Sequence, residues 1–436
     1  MKPFIMDHDK KGFTLVEVII TMAVFLVILM IASQTFNTIV TESIKLSKSE
    51  ESNIEGVVGL EVMRHDLEQM GFGLPWGRLP GSTATFTEAD TSNWTADTTH
   101  YAKMNESGDT LSVPRAFVGF DSFSDTAANL LGDFVGVKGS TLGRSKTSQL
   151  WTYIPYGNYS TASARESRPV AWPSNNLAAG DKVIAIRSNF NNPDDDHLLV
   201  ENSGAFSFSY SPTTSTNQNN FLPTDSLQTH MIYGIGSSTS TLRMPFNRAD
   251  FFVKIPDSLT AGGSVLPSFC SPGTGVLYKA TVNQDNGKYT YIPLLDCVAN
   301  MQVVLGWSFN SGSEKLQDTI HAYSSMPDKS FSIPPSVLAA PGITLPATAN
   351  DDILGWLQDP SGIREHLKLV KIYLLVQEGK KDSRFTYPAS SIVVGDQASG
   401  ELTLTQRYIF TNEQLKFRWK LYKIIVRPKN LVSNQR

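Results

Sequence analysis

The sequence predicts an α+β protein: a long amino-terminal α-helix, membrane-spanning in its first half, packed on a large antiparallel β-rich globular domain. Three observations predict it. The run from Phe13 to Ala32 is apolar and just long enough to cross a bilayer as a helix. Helical periodicity then continues towards Met70, where Gly71-Phe72-Gly73-Leu74-Pro75 supplies a glycine cap and a proline stop. Beyond residue 75, short apolar or alternating segments are separated by Gly, Pro, Asn and Ser clusters, which is the pattern of strands and turns.

The first element is a short polar segment, Met1 to Gly12, that ends in Lys10-Lys11-Gly12. Lysines ahead of an apolar span favour a cytoplasmic amino end, so the bulk of the chain should face outward. An ordinary secretory signal would need a small-residue cleavage site after the apolar run, and Ile31-Ala32-Ser33-Gln34 fits that poorly. A plain signal anchor explains the run but not Glu17, because a carboxylate in the bilayer costs a few kcal/mol and usually marks function.

The second element is the helix beyond the membrane. Phe36, Ile39, Val40, Ile44 and Leu46 carry an apolar stripe forward, and Ile54, Val57, Val58, Leu60, Val62, Met63 and Leu67 extend it. At the usual rise the whole helix would run ~85 Å, with its second half packed in a core. Gly56 and Gly59 weaken one turn.

The remaining elements are strands. Val183-Ile184-Ala185-Ile186 reads as buried, and Phe206, Phe208 and Tyr210 alternate with serines as a half-buried strand does. Phe251–Ile255, Val276–Ala280, Leu367–Val376 and Phe417–Val426 read as further strands, and Asn283–Gly287 reads as a hairpin turn. Polar stretches at 82–100, 213–220 and 234–241 read as loops or insertions.

Lys11-Gly12-Phe13-Thr14-Leu15-Val16-Glu17 resembles the leader junction of type IV prepilins and type II secretion pseudopilins. The resemblance implies cleavage after Gly12 by the prepilin peptidase, N-methylation of Phe13, and Glu17 as the fifth mature residue. Glycine suits the cut because it lets the backbone enter the peptidase site. Pairing of Glu17 with the Phe13 amine of a neighbouring subunit would offset the burial of both charges and set axial register.

Three further blocks are similar to minor pilins of the PilW type. They are Arg64-His65-Asp66-Leu67 with Gly71-Phe72, the turn and strand expected over Leu294–Gly306, and the two closing strands. On this reading residues 1–12 are a leader and 13–72 an assembly helix, of which 13–32 is transmembrane. Residues 73–289 are an exported β-rich region with insertions, and 290–436 a carboxyl-terminal pilin-type β region. The implied partners are the prepilin peptidase, other minor pilins, the major pilin and the inner membrane. The implied location is single-pass with a cytoplasmic amino terminus and a periplasmic domain later carried in a surface pilus. A secretion pseudopilin and a pilus-borne adhesin or ligand-binding subunit stay open.

Other chemistry is weakly represented. The net charge of the 436-residue chain is −4, which offers no general field for nucleic acid. The basic residues Lys416, Arg418, Lys420, Lys423, Arg427 and Lys429 read as a solvated strand face. No G-x-S-x-G, H-E-x-x-H, P-loop or complete G-x-G-x-x-G occurs, so no enzyme is expected. No cofactor is expected, although Asp194-Asp195-Asp196 offers oxygens for calcium. Cys270 and Cys297 lack metal-motif spacing, and in an exported domain they could close one disulfide loop worth ~3–4 kcal/mol.

Overall fold

Leu15 to Gln69 form one continuous helix, α1. The structure, a computed structural model, describes residues 14–93, 104–106, 113–121, 129–157, 159–161, 164–189, 197–213, 216–256, 266–309, 319–326, 336–396 and 401–431. It divides into two units, Met1–Asn53 and Ile54–Arg436. The first is the leading part of α1, in which every described side chain from Thr14 to Ile44 is exposed. The described helix apolar enough to cross a membrane lies within Leu15–Ile44, and its most apolar 18-residue window has a mean hydropathy of 2.9.

The second unit begins with the last turns of α1. Leu60, Met63, Leu67 and Met70 recur at helical spacing and are buried, which sets this part of α1 into the main core. Val57, Val58 and Val62, read from the sequence as part of the same packed stripe, are instead exposed. Steps of 100° per residue carry them off the face that holds Leu60, Met63 and Leu67. The helix stops where Gly71 takes φ +82 and donates its N–H to the carbonyl of Lys138 at 2.8 Å.

Strands follow in chain order. They are β1 (Gly77–Arg78), β2 (Phe117–Phe120), β3 (Phe134–Gly139), β4 (Trp151–Pro155), β5 (Tyr159–Thr161), β6 (Ala164–Glu166), β7 (Lys182–Asn189), β8 (Leu198–Leu199), β9 (Phe208–Ser209) and β10 (Gln228–Gly236). The second half supplies β11 (Asn247–Lys254), β12 (Gly275–Val282), β13 (Tyr289–Trp307), β14 (Ala322–Ser324), β15 (Val337–Ala339), β16 (Leu367–Glu378), β17 (Ser391–Val393), β18 (Arg407–Ile409) and β19 (Arg418–Val426).

Among the described residues the larger sheet is antiparallel, in the order β15-β14-β13-β12-β11-β3-β2, with β16 bridging β13 and β19. Middle and carboxyl-terminal regions both contribute strands to it. Its central strands are covered on both faces. Ile372, Leu374 and Val376 of β16 face the core shared with α1, whereas Tyr373 and Leu375 face a second cluster with Phe410, Phe417 and Trp419. That double burial is why β16 reads as a continuous apolar run instead of an alternating one. A smaller sheet, β1-β8-β7-β10-β4, works the same way. Ile184 and Ile186 enter the main core, and Val183 and Ala185 enter a separate cluster with Ile154, Phe208 and Phe221.

Two expectations need correction. The turn anticipated near Leu294–Asn300 is absent: β13 runs unbroken for 19 residues and absorbs the irregularity as bulges, with Cys297 at φ +54. Three helices went unread: a single turn at Thr216–Asn219 within the 213–220 stretch read as a loop, α2 (Ala349–Gln358) and α3 (Pro360–His366). Asp359 caps α3 by accepting from the Gly362 N–H at 2.9 Å, and Pro360 occupies the first turn. The Asn283–Gly287 turn is present between β12 and β13. Gly287 at φ +72 donates to the Asn283 carbonyl at 2.8 Å.

Candidate assembly site

The helix start is built from two side chains. The Thr14 N–H and hydroxyl each donate to Glu17 Oε2 at 2.9 Å, and the Glu17 N–H donates to Thr14 Oγ1 at 3.3 Å. This is a reciprocal capping box: Thr14 sits at the N-cap and Glu17 three residues on, so donors with no partner inside the helix are satisfied locally. A carboxylate in the first turn also complements the positive end of the helix dipole. Gly12 and Phe13 lie outside the described residues.

The far end of α1 is held by charge as well as by apolar contact. Asp66 is buried and meets Lys279 Nζ of β12 at 2.5 Å, and burial raises its carboxyl above the usual range despite that ammonium. On the exposed side Arg64 bridges Glu61 and Glu68, and Lys429 donates to Glu68 Oε2 at 2.6 Å. Gly59 allows the closest approach. A Cβ there would come within 2.1 Å of the Leu294 carbonyl oxygen on β13, so helix and strand backbones touch at this residue.

Cys270 and Cys297 are joined in a disulfide that links the approach to β12 with β13, their Cα atoms 5.1 Å apart. The basic carboxyl-terminal residues are largely paired within the chain. Arg418 meets Asp382, Lys423 meets Asp396, and Lys429 meets Glu68. The Asp194–Asp196 triplet lies outside the described residues. Among the described residues no group of three His, Cys, Asp or Glu side chains is arranged to hold a metal ion.

A buried ionic network escaped the sequence reading. Lys138 of β3 donates to Glu88 Oε1 and Glu106 Oε2, both at 2.8 Å. Arg248 of β11 donates to Glu88 Oε2 and to Asp250 Oδ1, also at 2.8 Å. Arg115 pairs with Glu106, and the Tyr289 hydroxyl donates to Asp250. Burial alone would raise Glu106, but Lys138 and Arg115 outweigh it and hold its carboxyl at about 2. Three cations and three carboxylates balance, which fits a structural clamp that fixes Glu88 and Glu106 to the sheet.

Among families of known proteins, the one described as the prokaryotic N-terminal methylation motif matches residues 7–33. No curated protein and no solved structure matches the chain. The matched segment contains Gly12, Phe13 and Glu17, and it opens the apolar helix whose first turn the Thr14–Glu17 pair caps. A membrane-anchored, single-pass chain is consistent with this helix and motif. The motif supports a type IV pilin-like or pseudopilin subunit, a structural class and not an enzyme family.

Proposed function

We propose that this chain is a minor type IV pilin of the PilW type that helps to initiate or prime filament assembly near the tip. The observation that carries the reading is the junction of a methylation motif at 7–33 with a continuous apolar helix capped by Glu17. In this account the prepilin peptidase removes residues 1–12 and methylates Phe13. Residues 13–32 then hold the subunit in the inner membrane, amino end inward, until it enters the filament with other minor pilins and the major pilin.

The physical argument starts from the two charges at the mature terminus. In an apolar filament core both the Phe13 amine and the Glu17 carboxylate must be paired. Glu17 is already held at the helix start, so a neighbour's amine can approach it without reordering the helix. The exposed valines at 57, 58 and 62 give α1 an apolar face for neighbouring subunits. The Cys270–Cys297 disulfide supports an oxidising, exported location for the β-rich domain. The bulk of Ile54–Arg436 favours a sparse subunit over one repeated around a helical axis.

Support for the pilus over a secretion pseudopilus comes from the PilW-like blocks at 61–73 and 290–436. A deletion strain decides between them. Loss of surface pili with intact protein secretion is expected; intact pili with lost secretion would overturn the pilus assignment. Quantitative mass spectrometry of sheared filaments should find the chain far below the major subunit, and a dominant share would contradict its minor role.

A further inference from the structure

The smaller sheet carries an aromatic groove along its β4 edge. Its edge strand β4 alternates in burial, so Thr152 and Ile154 point into the core while Trp151, Tyr153 and Pro155 stay half-exposed. The chain then returns along that edge. The Val170 N–H donates to the Tyr153 carbonyl at 3.0 Å, which places Trp172 over the exposed rings. The indoles of Trp151 and Trp172 meet at 5.1 Å and 66°, and Tyr153 lies 6.0 Å from Trp172 at 62°. Together they form a corner of ring faces beside a cleft of about 520 Å³, a size within the ordinary range for ligand sites.

Trp172 is fixed at three points. Its Nε1 donates to the Trp151 carbonyl at 2.8 Å, its backbone N–H donates to Asn176 Oδ1 at 2.7 Å, and its carbonyl accepts from Asn176 Nδ2 at 2.8 Å. A half-buried loop indole held this firmly costs little further ordering when a ligand lands on it. Beside it Asn175 adopts φ +58, an unusual backbone state for a residue with a side chain, and it too lines the cleft.

The rim decides the chemistry. Lys146, Gln149, Ser174 and Asn175 border the rings, and among the described lining residues there is no carboxylate. An apolar peptide or acyl chain would use the rings but none of these polar rim groups, which face solvent. A pyranose ring matches both parts, with C–H bonds for the ring faces and hydroxyls for the amides. A carboxyl group on the sugar would complement the Lys146 ammonium. A second cleft, of about 450 Å³ and lined by Asn202, Ser207, Ser209 and Asn220, has hydroxyls and amides but only buried rings in Phe208 and Phe221.

We propose that the Trp151–Trp172 groove binds carboxylated pyranoside chains, with Trp172 as the stacking platform and Lys146 as the counter-charge. The proposal stands independently of the assembly role and of the filament type. The test uses the full chain in a detergent without a sugar head group, titrated with trigalacturonate or with uncharged chitotriose. Binding is followed by saturation-transfer NMR. Saturable trigalacturonate binding is expected, weaker by about tenfold in Trp172→Ala, as for loss of an aromatic anchor. Trp172→Phe should retain part of the affinity, and the exposed Lys146→Glu should lose most of it while its thermal unfolding stays as in the parent. Chitotriose binding as tightly as trigalacturonate would overturn the acidic assignment. Absence of saturation by both sugars, or unchanged binding in Trp172→Ala and Lys146→Glu, would overturn the site.

Discussion

A methyl group added at Gly59 would lie 2.1 Å from the Leu294 carbonyl oxygen, and backbone on both sides leaves it nowhere to go. Gly59→Ala should therefore cost about 1–3 kcal/mol, as overpacking does, even though alanine is the better helix former. Gly355 in α2 has nothing within 4 Å of the place a Cβ would take, so Gly355→Ala should gain about 0.5–1 kcal/mol. Chemical denaturation of the two variants compares them directly, and equal effects would contradict the close helix–strand contact. His230 gives a second residue-scale expectation. Burial, aided by the charge of Arg187, lowers its pKa to about 4 while Nδ1 stays 2.7 Å from the Phe221 carbonyl oxygen. The folded protein keeps it neutral, so unfolding takes up a proton between pH 6.5 and 4. Its contribution is present above pH 6.5 and is lost as the pH falls through that window, by about 3 kcal/mol in all. His230→Asn should flatten the decline of unfolding free energy from pH 6.5 to 4; an unchanged slope would exclude His230 as its source.

At the scale of elements, α1 is where sequence and structure speak most directly to each other. Apolar length, the lysines before it, Glu17 inside it and the glycines after it were all visible, because each acts within a few residues of chain. Which valines of its second half face outward was not visible, since that depends on the strand it lies against. Glu17→Ala should remain cleavable after Gly12, because the junction is untouched, but should be depleted from sheared filaments several-fold or more. Its normal recovery there would remove the proposed pairing with a neighbour's amine. The helices α2 and α3 show the opposite limit. Asp359-Pro360 is a readable helix start, yet elements of 10 and 7 residues hold too few turns for periodicity to separate them from loop. β13 was misread for a related reason: its bulges place a positive-φ residue, Cys297, inside a strand, and locally that looks like a turn.

At the scale of the molecule, the two-faced burial of β7 and β16 made both strands legible as apolar runs, whereas the charge clamp on the larger sheet stayed hidden. Arg248 and Asp250 are two apart and so share one strand face, and that much could have been read. Glu88, which Arg248 also meets, is 160 residues away, and no local pattern carries such a pairing. Glu88→Ala would leave three buried cations facing two carboxylates, with Lys138 keeping Glu106 and Arg248 keeping Asp250. It should cost about 3–5 kcal/mol, the usual penalty for breaking one member of a buried set. Urea denaturation measures this, and a loss below about 1 kcal/mol would mean that the ionic clamp does not depend on Glu88. The same clamp should weaken in acid. Glu106 is held at about 2 against an ordinary 4.5, so its contribution is present above pH 4.5 and disappears as the pH falls towards 2.

All of the assembly reading depends on where the mature chain begins. The decisive measurement is the mass of the amino-terminal peptide from protein isolated from membranes and from filaments. A peptide starting at N-methyl-Phe13 is the predicted result, because the matched motif and the Glu17-capped helix both favour a junction after Gly12. An intact Met1, or a start near Ala32, would contradict it and leave an anchored or secreted β-rich protein outside the pilin pathway.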